Sequence, residues 1–269
     1  MRRIWAFGVI GGLVASVVTV GLLSPATAIT FGEEDGGRHP NVGSIVGRMP
    51  GDPAQYQWCT GTLISPTMVL TAGHCFAGQD GVEFTVTFEE TIDTDGDGIV
   101  EPGVTLLAGT PHVHPSFATG GNDPFDMAVF ELAEAVAIEP AQLPAAGLLD
   151  DRAIRGSLFT AVGYGLARDQ KTGGWHELFG PAGRRMAVQS VQSINSSWLT
   201  LSMNPATGNG GTCSGDSGGP HFLGAGQTET DIVASITITG DTNCRSTDKT
   251  YRLDTKVARD FLGQFVWLP

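Results

Sequence analysis

Ser217 stands in the stretch Gly210-Gly211-Thr212-Cys213-Ser214-Gly215-Asp216-Ser217-Gly218-Gly219-Pro220. Gly215, Gly218 and Gly219 open backbone angles that a Cβ closes to other residues. Such a turn can push a hydroxyl outward and aim nearby amide N–H groups at one point. An acyl-transfer nucleophile needs both: an exposed Oγ and donors for a developing oxyanion. Taken alone, Gly-x-Ser-x-Gly fits a glycine-rich surface loop equally well, so the partners elsewhere in the chain decide. His74 lies beside Cys75 at the end of an apolar run, where it is held firmly. Asp126 opens another apolar run, Met127-Ala128-Val129-Phe130. That aspartate could instead cap a turn, and Asp123 is a nearby competitor.

The segments that must carry these residues read as short strands. Val42 to Gly47, Trp58 to Ile64 and Met68 to Ala72 come first, the last two joined by a Ser65-Pro66 turn. Val82 to Glu89 alternates apolar and polar residues, as a half-buried strand does. Residues 133–150, rich in Ala and Pro, read as a crossing between two halves. Beyond them lie Leu158 to Gly165, Met186 to Ile194, Trp198 to Met203 and Asp231 to Thr239, with turn residues between. One helix is expected, over Asp254 to Phe265, where Val257, Phe261, Leu262 and Phe265 share a face. The sum is an all-β chain in two halves closed by a C-terminal helix.

Composition narrows the function. Of 269 residues, 41% are apolar and 16% charged, enough apolar surface for a core. The net charge of −13 argues against nucleic acid as a partner. Residues 1–28 read as an export signal: Arg2 and Arg3, an apolar run from Ile4 to Leu23, then Ala26-Thr27-Ala28 as the cleavage site. The alternative for so long a run is a membrane anchor; its glycines and its ending favour cleavage, which leaves no membrane anchor. Removal of two Arg and no acid leaves 13 basic and 28 acidic groups, a net charge of −15. Export permits disulfides. Four cysteines allow three pairings, of which Cys59 with Cys75 and Cys213 with Cys244 are the local ones. No Cys-x-x-Cys occurs, which argues against zinc.

One further motif is Asp93-Thr94-Asp95-Gly96-Asp97-Gly98, which matches the start of an EF-hand-type calcium loop. The match fails at the twelfth position, where Val104 replaces a bidentate Glu. Either Asp93, Asp95 and Asp97 hold a structural calcium in another way, or they form a solvated hairpin tip.

In order, Thr71-Ala72-Gly73-His74-Cys75, Asp126-Met127-Ala128-Val129 and Gly215-Asp216-Ser217-Gly218-Gly219 resemble the trypsin/chymotrypsin-like serine peptidase family, in its secreted, bacterial-type form. The glycine-bounded Val162-Gly163-Tyr164-Gly165 is similar to the family's second half. The likeness spans roughly residues 29 to 269. It implies two antiparallel six-stranded β-barrels, residues 29–140 carrying His74 and Asp126, and residues 141–269 carrying Ser217 and the helix. It implies that Ser217 is the nucleophile, His74 the general base and acid, and Asp126 the group that fixes the imidazole. Gly215 and Ser217 would supply the oxyanion-hole N–H groups. A freed Ile29 ammonium would pair with Asp216, since Ile29-Thr30-Phe31-Gly32 is similar to the family's Ile-Val-Gly-Gly start. The expected enzyme is a secreted, monomeric serine endopeptidase that acts on protein or peptide substrates and requires no cofactor.

Where the chain departs from the family, specificity should change. Gly211 occupies the pocket-floor position six before the nucleophile, where trypsin has Asp, so a preference for Arg or Lys is not supported. On the family pattern Gly240 and Lys249 also approach the pocket, and Lys249 could meet an acidic side chain or point to solvent. Ile238-Thr239 replaces the family's Ser-Trp and removes a hydroxyl that helps hold the triad acid. Two other classes are weighed. An α/β-hydrolase requires an acid and a histidine after the serine, and the histidine that follows Ser217 is His221, four residues on. A catalytically weak or inactive homologue would keep the fold and act as a binding protein.

Overall fold

The structure is a computed structural model that describes residues 29–118, 123–168, 180 and 183–269. The expected export signal, residues 1–28, lies outside the described residues. A two-residue strand, β1 (Glu33–Glu34), leads into the first barrel. That barrel is built from β2 (Val42–Arg48), β3 (Tyr56–Ser65), β4 (Met68–Thr71), β5 (Glu83–Thr87), β6 (Leu107–Val113) and β7 (Ala128–Leu132). The strands close in the order β2-β3-β4-β7-β6-β5, and each neighbouring pair is antiparallel. Ile45, Leu63, Val69, Leu70, Val86 and Phe130 fill its core and are fully buried. β6 was not expected as a strand, because it contains Gly109 and Pro111. It pairs with β5 only at Leu107 and Ala108, so Pro111 needs no N–H on that side.

The second barrel comprises β8 (Leu158–Gly163), β9 (Arg185–Ile194), β10 (Trp198–Ser202), β11 (Pro220–Leu223), β12 (Val233–Gly240) and β13 (Thr247–Arg252). Its order is β9-β10-β13-β12-β11-β8, closed by the pairing of β8 with β9, and β1 adds to the outer edge of β9. Part of this interior is polar. His221 meets the Thr237 hydroxyl at 2.9 Å, Gln189 Nε2 donates to Asp248 at 3.0 Å, and Thr250 donates to Ser235 at 2.8 Å. The expected fold, two six-stranded antiparallel barrels with a C-terminal helix, is the one observed.

That helix, α1 (Lys256–Leu262), is shorter than its apolar periodicity suggested. Thr255 caps it, its Oγ accepting from the Ala258 N–H at 3.3 Å. Phe261 packs on His114 and Phe265 on His112, with ring centroids 4.9 and 5.3 Å apart. The end of the chain thus straps across to the first barrel.

Buried polar contacts join the two barrels. Tyr164 OH donates to the Glu89 carbonyl at 2.8 Å. Arg184 donates from Nε to Asp35 at 2.9 Å and from Nη1 to the Val42 carbonyl at 3.0 Å. His39 is held between two carboxylates: Nδ1 contacts Asp35 Oδ1, and Nε2 meets Glu229 Oε1 at 2.7 Å. Carboxylates only accept, so both ring nitrogens donate and the ring is an imidazolium. Burial pulls His39 down, but the two acids outweigh it and raise its pKa above the usual value. Burial likewise pushes the Asp35 carboxyl up, but hydrogen bonds from His39 and Arg184 prevail and hold it at about 2.

Candidate active site

The register of β4 against β7 brings the first two site residues together. Thr71 pairs with Ala128 in an antiparallel ladder, so the residues just after Thr71 lie beside those just before Ala128. His74 follows in a single 3-10 turn, Gly73–Cys75. Asp126 Oδ1 accepts the His74 backbone N–H, and Oδ2 meets the ring Nδ1, both at 2.8 Å. The carboxylate only accepts, so Nδ1 is the donor in the ring contact. Asp126 is buried, and His74 is about one-third exposed, its side chain at 35%. The Cys59–Cys75 disulfide pins the turn to β3. The competitor Asp123 caps its own turn instead, accepting from the N–H groups of Phe125 and Ala118, both at 2.9 Å.

Ser217 comes from the second barrel but is held by the first. The Thr60 N–H donates to the Ser217 carbonyl at 2.9 Å. Cys75 Sγ, one residue from His74, lies 3.9 Å from the same oxygen. Gly218 adopts a left-handed φ of +78°, and a Cβ there would stand 2.0 Å from Thr71 Oγ1. The serine loop therefore presses on the end of β4, which a side chain at Gly218 would prevent.

The loop before the serine is ordered from several sides. The Leu166 N–H donates to the Ser214 carbonyl at 2.8 Å. The peptide is trans, so the Gly215 N–H points the opposite way. Among the described residues, neither the Gly215 nor the Ser217 N–H donates to a protein acceptor. Asp216 is fully buried. Its Oδ1 accepts from Gly165 N–H at 2.7 Å and its Oδ2 from Cys213 N–H at 2.8 Å. Burial lifts its carboxyl to about 7, although the two amides pull the other way.

Ile29 is fully buried, and Thr30 exchanges backbone hydrogen bonds with Gly211 at 2.8 and 2.9 Å. The segment thus docks in the second barrel. In the full chain the Ile29 nitrogen is a peptide amide; the ion pair expected with Asp216 requires that nitrogen to be freed as an ammonium. Ile29 is held at φ +64°, a left-handed conformation that strains a β-branched residue.

A cavity of about 250 Å³ opens beside Ser217, lined by Thr212, Ser214, Thr237, Ile238, Thr239 and Gly240 among others. Of the three expected pocket residues, Gly240 lines it. Gly211 does not, because Met203 and Gln189 crowd its Cα; a Cβ there would meet their side chains at 2.3 and 2.4 Å. Lys249 does not line it either, and its ammonium sits 4.1 Å over the Trp198 ring. Asp241 lines the cavity, but its Oδ1 accepts from the N–H groups of Ser246 and Thr247, both at 2.8 Å. Cys213–Cys244 forms the second disulfide, so both local pairings are present.

The acidic loop gathers carboxylates differently from its sequence pattern. Asp93, Asp95 and Glu101 bring oxygens within 4.8 Å of one another. Asp97 turns aside and accepts from the Ile99 N–H at 2.8 Å. Asp93 is buried and already accepts from the N–H groups of Gly96 and Gly98, at 2.7 and 2.8 Å. These oxygens are of the hard kind that suits calcium, though Asp93's are engaged in the turn itself.

Gln57 and Thr60, whose side chains reach the loop of Ser217 from β3, are not among the candidates the sequence offers. Nothing in their own surroundings marks them, apart from the nearness of Thr60 to Cys59.

The family model described as Trypsin matches residues 33–262. A protein named Trypsin from Saccharopolyspora erythraea is 27% identical over 173 residues, which cover 62% of this chain and 71% of the relative.

Proposed function

The chain belongs to the trypsin family and carries a trypsin-like serine peptidase domain, and from that premise we propose that it is a secreted serine endopeptidase working through Ser217, His74 and Asp126. Ser217 Oγ attacks the scissile carbonyl, and His74 Nε2 takes its proton. The tetrahedral oxyanion is met by the N–H groups of Gly215 and Ser217. Losing one such donor costs about 3 kcal/mol of barrier in enzymes of this kind. His74 then protonates the leaving amine, and water repeats the cycle on the acyl-enzyme. This chemistry uses protein groups alone.

The observation that carries the proposal is the double hydrogen bond from His74 to Asp126, set beside a serine loop anchored on the same barrel. A fluorescent organophosphonate tests it. The wild type should label and cleave peptides, while Ser217→Ala should do neither. A folded wild type that takes up no label would instead be a binding protein that keeps the fold.

Two finer parts belong to the same proposal. The cavity is lined with hydroxyls, and among the described residues no Lys, Arg or His lines it. We expect uncharged side chains at the cleavage site, and the seat of Lys249 over Trp198 argues against an acidic preference. Peptides varied only at that residue decide the matter; a clear preference for Arg, Lys, Glu or Asp would overturn it. We also propose that Ile29 becomes the amino terminus. Cutting before it removes the peptide unit that imposes its strained φ, and supplies an ammonium for Asp216. Secretion fits the two disulfides, which need an oxidising compartment.

A further inference from the structure

We propose that Gln57 is a positioning residue of the oxyanion hole, fixing the Gly215 peptide from the opposite barrel. The inference rests on the peptidase reading above. Gln57 lies on β3, two residues before Cys59. Its Nε2 donates to the Gly215 carbonyl at 2.8 Å and to the Cys59 carbonyl at 3.2 Å. Both partners are carbonyl oxygens, so the side-chain amide must present its NH₂, and its orientation is settled by chemistry. Thr60 Oγ1 donates to the same Gly215 carbonyl at 3.0 Å. Two donors from the first barrel thus meet one carbonyl in the nucleophile loop.

That carbonyl belongs to the peptide after Gly215, while the oxyanion-hole N–H belongs to the peptide before it. The two planes meet at the Gly215 Cα, held at φ +94°, where a glycine can turn freely. The Leu166 N–H holds the first plane through the Ser214 carbonyl, and Gln57 and Thr60 hold the second. Fixing both planes sets the direction of the Gly215 N–H before substrate arrives. A Cβ on Gly215 would come within 2.5 Å of Gln57 Oε1, so the two residues are fitted to each other. Preorganisation of this kind stabilises charge that develops only in the transition state.

The test compares wild type with Gln57→Glu and Gln57→Leu, with active sites titrated by an organophosphonate. A carboxylate of the same size cannot donate to the Gly215 carbonyl, and leucine cannot at any pH. We expect kcat per titrated site to fall about tenfold with KM little changed. A peptide aldehyde, which binds as a tetrahedral adduct, should lose affinity by a similar factor. Relative to wild type at each pH, Gln57→Glu should recover as its introduced carboxyl protonates and regains a donor, and Gln57→Leu should not. A merely structural role would lower the melting temperature or the titrated fraction and leave kcat per site and aldehyde affinity alone. Either folded variant with unchanged kcat per site and unchanged aldehyde affinity overturns the inference. A wild type that neither labels nor cleaves sinks the peptidase reading instead, and this inference with it.

Discussion

Gly163 lends its empty side-chain position to Asp216: a Cβ on Gly163 would lie 2.0 Å from Asp216 Oδ1. The glycine is therefore part of the mould for the serine loop. Gly163→Ala should push the carboxylate off the Gly165 and Cys213 amides and disorder the oxyanion hole. We expect a loss of about 2 kcal/mol in stability, typical of overpacking, and a collapse of kcat. Urea denaturation and active-site titration measure the two. An alanine variant with wild-type kcat would show that the Asp216 seat is not needed.

Asp126→Asn leaves the size of the site intact but offers an amide where His74 needs an acceptor on Nδ1. The ring then favours the tautomer with its proton on Nε2, the wrong one for a base. The corresponding change in the family's best-studied triad costs about 10⁴ in kcat, and a similar fall is expected here. The melting temperature should move far less than activity does. Steady-state kinetics beside a thermal melt distinguish this from simple unfolding.

The knot of Asp35, His39, Arg184 and Glu229 should give stability a defined pH dependence. The folded pKa of His39 is raised, so its contribution is complete below the ordinary value of 6.5 and is lost as pH rises through the folded value. Asp35 is held at about 2, so its contribution is complete above its ordinary value of 3.8 and is lost as pH falls towards 2. Denaturation midpoints of wild type and His39→Gln, taken from pH 4 to pH 9, test this. The wild type should lose its advantage over the variant on the alkaline side. A gap that stays constant with pH would mean His39 is not the group that titrates.

Asp216 predicts a difference between the uncut and the processed chain. In the uncut chain its carboxyl is lifted to about 7, so stability should decline as pH rises from 3.8 through 7, while the unpaired charge is forced into the interior. A free Ile29 ammonium would supply the missing partner and flatten that decline. Protein beginning at Ile29 should therefore be more stable at pH 8, and more active, than protein that retains Ala28. Equal stability and equal kcat for both forms would remove Ile29 from the scheme.

The chemistry-bearing residues stand out in the sequence because each has a local marker. Ser217 is flanked by glycines, His74 adjoins a half-cystine, and Asp126 opens an apolar strand. Most barrel strands are legible from apolar alternation. β6, β11 and β13 are not, for physical reasons. β6 carries a proline that a one-sided pairing tolerates. β11 is four residues long. β13 reads as polar because Asp248 and Thr250 turn into the barrel, where Gln189 and Ser235 meet them. Gln57 is silent because its target is a carbonyl 158 positions away. The surroundings of the expected pocket residues are silent in the same way: Met203 stands against the Cα of Gly211, and Lys249 lies over the Trp198 ring.

The crossed anchoring of the serine loop also bears on the order of biosynthesis. His74 and Asp126 emerge from the ribosome early and can pair as soon as β4 and β7 zip together. The alcohol arrives about ninety positions later, and its loop then rests on β3, a strand completed long before. On the peptidase reading, a nascent chain therefore carries the His74–Asp126 pair before any nucleophile stands beside it. On the proposed scheme, base and nucleophile can meet only with the last fifth of translation, when the earlier barrel serves as the template on which the serine loop is set.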